Sequence, residues 1–297
     1  MSRMLRALVL GAAALVVAGA ATAAPSAGPT LSPLTLQLGD LPGAKLTSQG
    51  SLAGTGYIDG YQRTFRFASP VTSARMVWLK SEVQFASTVD RAQSDVTSLE
   101  RELGTAAGRK AFLTGYLRSA KVKASQVTLG KVRPAPALAD NAFEFTVSVK
   151  VKAGRIYDEL ALVQLDRVVA LTEFVSLKPM TPGVSRSLLA KMPARATTLL
   201  TPTMLEAPTV TGTAQQGQTL TAAPGRWSND DVALSYQWQH CTPGDTTAAS
   251  CTDVPGATWS TYPLTAADAG FSVRVVVTAK NRFGAPTAPS AVTAAVV

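Results

Sequence analysis

The chain has 297 residues, of which 28 are Lys or Arg and 19 are Asp or Glu, giving a net charge of +9. A hydrophobic fraction of 46% with only 16% charged residues excludes disorder for the bulk of the chain, and the length accommodates two modest domains. Histidine occurs once, at His240, so any Ser-His-Asp or Cys-His mechanism would have to run through that residue.

The amino terminus has the pattern of an export signal. Arg3 and Arg6 are its basic start, Ala7 to Ala18 is an apolar run, and Ala21-Thr22-Ala23 is a small-residue cleavage pattern. Residues 1–23 are therefore expected to be a signal peptide, with Ala24 first in the mature chain. The apolar run is shorter than the ~20 residues of a spanning helix. No cysteine follows it to accept a lipid, and no later run of spanning length occurs, so the mature chain is expected to lack a transmembrane segment. Residues 24–33, rich in Pro, Ala and Ser, read as a flexible tail.

Charge divides what remains. Residues 31–200 hold 22 Lys and Arg against 13 Asp and Glu, while residues 201–297 hold 4 against 6. Within 34–200, Tyr61 to Phe67 and Ala74 to Phe85 read as strands, with Arg63, Arg66 and Lys80 on their polar faces. Val89, Ala92, Val96, Leu99 and Leu103 mark one face of a helix, with a capping box at Ser87 and Asp90 and a closing cap at Gly104. A second helix carries Phe112, Leu113, Tyr116 and Leu117. From Ala142 to Lys152, Phe143, Phe145, Val147, Val149 and Val151 alternate with polar residues, predicting a strand with one wet face. Arg155 to Leu165 and Val168 to Leu177 continue a meander through turns at Ala153-Gly154 and Asp166-Arg167. Thr181-Pro182 opens a last helix that Pro193 should kink or divide. Runs of strands and helices, rather than strict alternation, predict an α+β domain whose antiparallel sheet is covered by helices.

Residues 201–207 read as a linker. From 208 to 297 the pattern is of short strands without helical periodicity, which predicts an all-β sandwich. Leu234, Tyr236 and Trp238 place a large aromatic on one strand face, Val273, Val275 and Val277 line another, and Gly284 marks the turn into the last strand. Cys241 and Cys251 are expected to form a disulfide, since an exported chain is oxidised and no other cysteine competes. Two cysteines and His240 fall short of a closed zinc site, so no metal is expected.

The second region carries Gly212-Thr213-Ala214-Gln215-Gln216-Gly217-Gln218-Thr219-Leu220, Pro224-Gly225-Arg226-Trp227, Tyr236-Gln237-Trp238-Gln239-His240-Cys241 and Leu264-Thr265-Ala266-Ala267-Asp268-Ala269-Gly270. On these it resembles the immunoglobulin-like repeat of secreted bacterial surface proteins. Leu38-Gly39-Asp40-Leu41-Pro42-Gly43, Leu165-Asp166-Arg167-Val168-Val169-Ala170 and the closing helix give residues 34–200 a weaker similarity to small extracytoplasmic α+β domains of bacteria. These are PsbP/Mog1-like domains of the sensor and lipoprotein type. The second resemblance implies a binding or assembly module.

No phosphate-binding glycine loop occurs at a strand–helix junction. Asp158 and Glu159 are neighbours on a strand and face opposite ways, whereas Asp140 and Glu144 could approach one another. No cofactor is expected. Arg109, Lys110, Arg118, Lys121 and Lys123 fall close together without an intervening acid, interleaved with Phe112 and Tyr116. Such a face suits anionic envelope polymers, lipid headgroups or acidic glycans, and in an exported protein nucleic acid is not expected. Trp227 and Trp259, each just after a Pro-Gly turn, could stack on sugars or belong to the sandwich core. The expectation is a secreted, non-enzymatic binding protein whose α+β domain binds a small ligand or an anionic envelope component, with the immunoglobulin-like module as spacer or presenter. The alternative is a surface adhesin acting through the immunoglobulin-like module.

Overall fold

The computed structural model describes residues 31–52, 57–71, 74–228, 232–244 and 251–297. The expected signal peptide, and the expected tail up to residue 30, lie outside the described residues. The chain divides into two compact units at Ala196 and Thr197, and each is taken by itself.

The first unit contains, in order, β1 (Ala44–Ser51), β2 (Tyr57–Val71), β3 (Met76–Ala86), α1 (Val89–Gly104), α2 (Ala106–Ala120), β4 (Val127–Leu129), β5 (Arg133–Pro134), β6 (Asn141–Val151), β7 (Gly154–Leu165), β8 (Val168–Ser176) and α3 (Pro182–Leu189). A further helix, α4 (Lys191–Leu200), follows and runs across the division. Eight antiparallel strands form one sheet in the order β1-β2-β3-β8-β7-β6-β4, with β5 also on β6. The expected α+β class is the one observed.

Both faces of the sheet are covered. On one, Phe143, Phe145, Val147 and Val149 of β6 and Leu160 and Leu162 of β7 meet Ala92, Val96, Leu99 and Leu103 of α1 and Phe112 and Tyr116 of α2. On the other, Met192 of α4 lies against the hydroxyls of Ser81 and Thr172. Leu31, Leu34 and Leu36 are buried as well, and Leu36 donates its N–H to Ser81. The end of the expected tail is thus a packed segment, because those leucines bury apolar area.

Several local details differ from the sequence reading. Thr88, not Ser87, caps α1, and its hydroxyl accepts from the N–H of Arg91. Gly104 is the last helical residue rather than the cap. Thr105 both closes α1 and caps α2, accepting from the N–H of Gly108. The last helix divides at Ala190, before Pro193, which sits in the first turn of α4, where a missing N–H costs no helical hydrogen bond. The first meander turn is Lys152-Ala153, one residue earlier than expected. The second is Asp166-Arg167, with Asp166 at φ 56°, a left-handed conformation that aspartate tolerates.

The second unit contains β9 (Met204–Glu206), β10 (Thr209–Thr211), β11 (Thr219–Ala223), β12 (Arg226–Trp227), β13 (Ala233–Cys241), β14 (Cys251–Asp253), β15 (Thr261–Pro263), β16 (Ser272–Lys280) and β17 (Thr287–Pro289). They form small antiparallel sheets in the orders β10-β11-β15, β12-β9 and β14-β13-β16-β17. Part of the expected linker is therefore a strand, because β9 finds a partner in β12. Gly225 makes this pairing possible. Its φ is 75°, and a Cβ there would stand 2.3 Å from the carbonyl oxygen of Glu206. Leu220, Ala222, Trp227, Trp238, Leu264, Val273, Val275, Val277 and Ala279 share one core. Trp238, fully buried in it, is stacked 5.3 Å from Tyr262 and donates its indole N–H to the carbonyl of Trp259.

Candidate functional site

Helix α2 presents two chemically different faces. Phe112 and Tyr116 point to the sheet, with Phe112 edge-on to Phe145 at 5.3 Å. Lys110, Thr114, Arg118 and Lys121, at spacings of four, four and three, form an exposed stripe on the helix exterior, and Lys123 is exposed just beyond. The helix stops where Lys121 takes a left-handed conformation, φ 54°. Arg118 and Lys121 thus stand at the negative end of the helix dipole, which favours cations there. Among the described residues, the recorded ion pairs engage none of Lys110, Arg118, Lys121 and Lys123. Arg109 is different. Its guanidinium donates to the carbonyls of Leu129 and Gly130 at 2.7 and 2.9 Å, fastening the β4 end to the helix.

The sheet carries buried acids on both faces. Lys80, Glu173, Leu160 and Phe145 stand in one cross-strand row, and Trp78, Val175, Asp158 and Val147 in the next. Asp158 and Glu173 are therefore diagonal neighbours on the face beneath α1 and α2, 4% and 1% exposed. Tyr116 donates to Oδ2 of Asp158 at 3.2 Å. Among the described residues, no group donates a hydrogen bond to Oδ1 of Asp158 or to either carboxyl oxygen of Glu173. Burial and the nearby Glu173 push the Asp158 pKa well above the ordinary aspartate range. Burial likewise raises Glu173, to about 7, against the opposing influence of Lys80, which is itself paired with Glu82 at 2.7 Å.

Glu144 and Glu159 form a second diagonal pair, on the opposite face. The expected wet face of β6 is covered at this end, with Glu144 only 1% exposed. Arg133 reaches Glu144 at 3.2 Å and Glu159 at 3.8 Å, and Arg186 of α3 reaches Glu144 at 3.6 Å. Both arginines are about half exposed, so the pair is balanced by two cations at its rim. Burial raises the Glu159 pKa, with the Ser185 hydroxyl and both arginines opposing. Asp158 and Glu159 do face opposite ways. Asp140 instead accepts the N–H of Asp166, so Glu144 finds Glu159 rather than Asp140. Glu173 was missed altogether. Its one signal is a lone acid within the apolar run Val168 to Ser176.

In the second unit the two tryptophans part company. Trp227 is 7% exposed and donates its indole N–H to the carbonyl of Pro224, so it is a core residue and not a stacking surface. Trp259 is 77% exposed. Cys241 and Cys251 are disulfide-bonded and lie directly opposite one another on β13 and β14. His240 stacks on Phe271 at 4.7 Å, with Nε2 2.5 Å from Oδ1 of Asp268. That buried carboxylate also accepts from the Tyr262 hydroxyl and from the N–H and hydroxyl of Thr265. Among the described residues, no group of three or more His, Cys, Asp and Glu is arranged to hold a metal ion, and no helix is long and apolar enough to cross a membrane.

No family model matches the chain, and no curated protein matches it. Among solved structures it is similar to the extracellular domain of PknH from Mycobacterium tuberculosis. The two are 12% identical over 56% of this chain and 93% of that one, with a TM-score of 0.36, a likeness too distant to carry an argument about either fold or function.

Proposed function

We propose that the chain is an exported, non-enzymatic binding protein whose α+β unit engages an anionic component of the cell envelope through the outer face of α2. The exposed stripe of Lys110, Arg118 and Lys121, continued by Lys123 and free of ion pairs with described acids, is the observation that carries this reading. Cations that neutralise no protein carboxylate keep their full attraction for an external polyanion, and clustering on one rigid helix face adds their fields. The charged, apolar and small-residue order of the amino terminus and the Cys241–Cys251 disulfide support export. The second unit, with its resemblance to bacterial immunoglobulin-like repeats, would space or present the first.

The test is sedimentation of the mature protein with isolated bacterial envelopes across a salt series, beside a variant carrying Lys110→Glu, Arg118→Glu and Lys121→Glu. Binding that falls with salt and is lost in the variant supports the proposal. Equal binding by both proteins removes it. A second reading has one observation in its favour, the exposed indole of Trp259, which offers a flat apolar surface to a sugar ring. Salt-resistant sedimentation abolished by Trp259→Ala would move the assignment to the second unit.

A further inference from the structure

Asp158 and Glu173 pose a hydrogen-bonding problem that one proton eases. Two ionised carboxylates are acceptors only, and here they sit diagonally on adjacent strands with water excluded. An unpaired buried charge costs several kcal/mol, and two of like sign in such proximity cannot both persist cheaply. The donors within reach are few. Tyr116 supplies one hydrogen bond, to Oδ2 of Asp158. Lys80 on β3 is held by Glu82 and only biases Glu173 through space. Helix α1 presents the uncharged Ala92, Val96, Leu99 and Leu103, and β6 places Val147 opposite Asp158. A proton on Oδ1 of Asp158, given in a hydrogen bond to Glu173, satisfies two of the three oxygens left over and leaves a single negative charge facing Lys80.

We propose that Asp158 and Glu173 form a buried proton-binding site that couples acidity to the seating of α2 on the sheet. With the shared proton in place, Asp158 is fixed between Glu173 and the Tyr116 hydroxyl, and α2 is held down. Loss of the proton leaves two charges beneath the helix, and their only escape is into water, which requires the helix to lift. The site is independent of what the outer face of α2 binds.

The test is hydrogen exchange of the α2 amides in the full mature chain, corrected for the intrinsic pH dependence of exchange. A site that holds its proton more tightly when closed than when open raises the opening equilibrium as pH rises, by up to about tenfold per pH unit between the pKa of the open state and that of the closed one. Asp158→Asn keeps an acceptor for Tyr116 and supplies a donor to Glu173, so it mimics the protonated pair. Both it and Glu173→Gln are expected to flatten the pH response while leaving the amides of the second unit unchanged. A response that persists undiminished in the two variants, or its absence from the parent protein, overturns the proposal. Should a variant fail to fold, an infrared titration of the parent protein decides: a carboxyl that stays protonated at about pH 6, well above the ordinary carboxylate range, is required, and finding none sinks the site.

Discussion

Each unit buries acids, and the two treat them in opposite ways. In the second unit Asp268 is fully enclosed, yet its two oxygens accept from Tyr262, from the N–H and hydroxyl of Thr265, and are met by His240. Burial alone would push its pKa up, but the Tyr262 and Thr265 bonds, with His240, hold it below the ordinary range. In the first unit Glu173 is equally enclosed, among the described residues no N–H, hydroxyl or cation donates to either oxygen, and it is raised to about 7. Depth of burial does not decide the charge of a carboxyl. The number of N–H and O–H groups aimed at it does.

The sharpest way to break this contrast is to remove the framework around one acid and leave the other. Trp238 anchors the core of the second unit, and Trp238→Ala should cost about 3–5 kcal/mol there. In hydrogen exchange the loss should be confined to β11, β13 and β16 and spare β6 to β8. An equal loss in both regions would show that they do not unfold as distinct units.

The two acids themselves should respond with opposite sign. For Glu173 the folded pKa lies above the unfolded one, so the stability tied to its protonated form is present below about pH 4.5 and is lost as pH rises through about 7. Glu173→Gln should therefore stabilise the first unit by on the order of 3 kcal/mol near pH 8 and by almost nothing near pH 4. For Asp268 the folded pKa is depressed, so its contribution is present above the unfolded value of about 4 and vanishes as pH falls through the folded one. Asp268→Asn should cost the second unit about 2–3 kcal/mol near neutrality, since an amide cannot accept at both ends. Urea unfolding of each variant across pH measures both. Stability curves of the same slope for the two would refute the distinction.

Smaller effects sharpen the same boundary. Replacing Cys241 and Cys251 by serine should lower the stability of the second unit by roughly 2–3 kcal/mol, as expected for a short closed loop, with no change in the first. Thr105→Ala removes the hydroxyl that accepts from Gly108 and should cost about 1 kcal/mol, seen as faster exchange at the start of α2 alone.

Much of the architecture was legible because it rests on local periodicity. The alternation of Phe143, Phe145, Val147 and Val149 placed β6, and the spacing of Ala92, Val96, Leu99 and Leu103 placed the inner face of α1. The basic stripe was legible too, since three- and four-residue steps along a helix fix which side chains share a side. Arg109 left the cluster because its partners, the carbonyls of Leu129 and Gly130, come from a strand the helix meets only after folding. Trp227 and Trp259 follow similar Pro-Gly turns, yet one joins a core and the other faces solvent.

The sequence by itself determined the α+β class of the first unit, the short-strand character of the second, the pairing of its two cysteines and the opposite orientations of Asp158 and Glu159. Each follows from a period, a composition or a count. Only the tertiary structure decided that β7 and β8 pair in the register that puts Asp158 diagonal to Glu173, that α2 brings Tyr116 and no further donor to them, and that Glu144 meets Glu159 beneath two arginines. A carboxyl's charge is set by the donors and charges gathered around it, and those neighbours come from strands and helices distant in sequence.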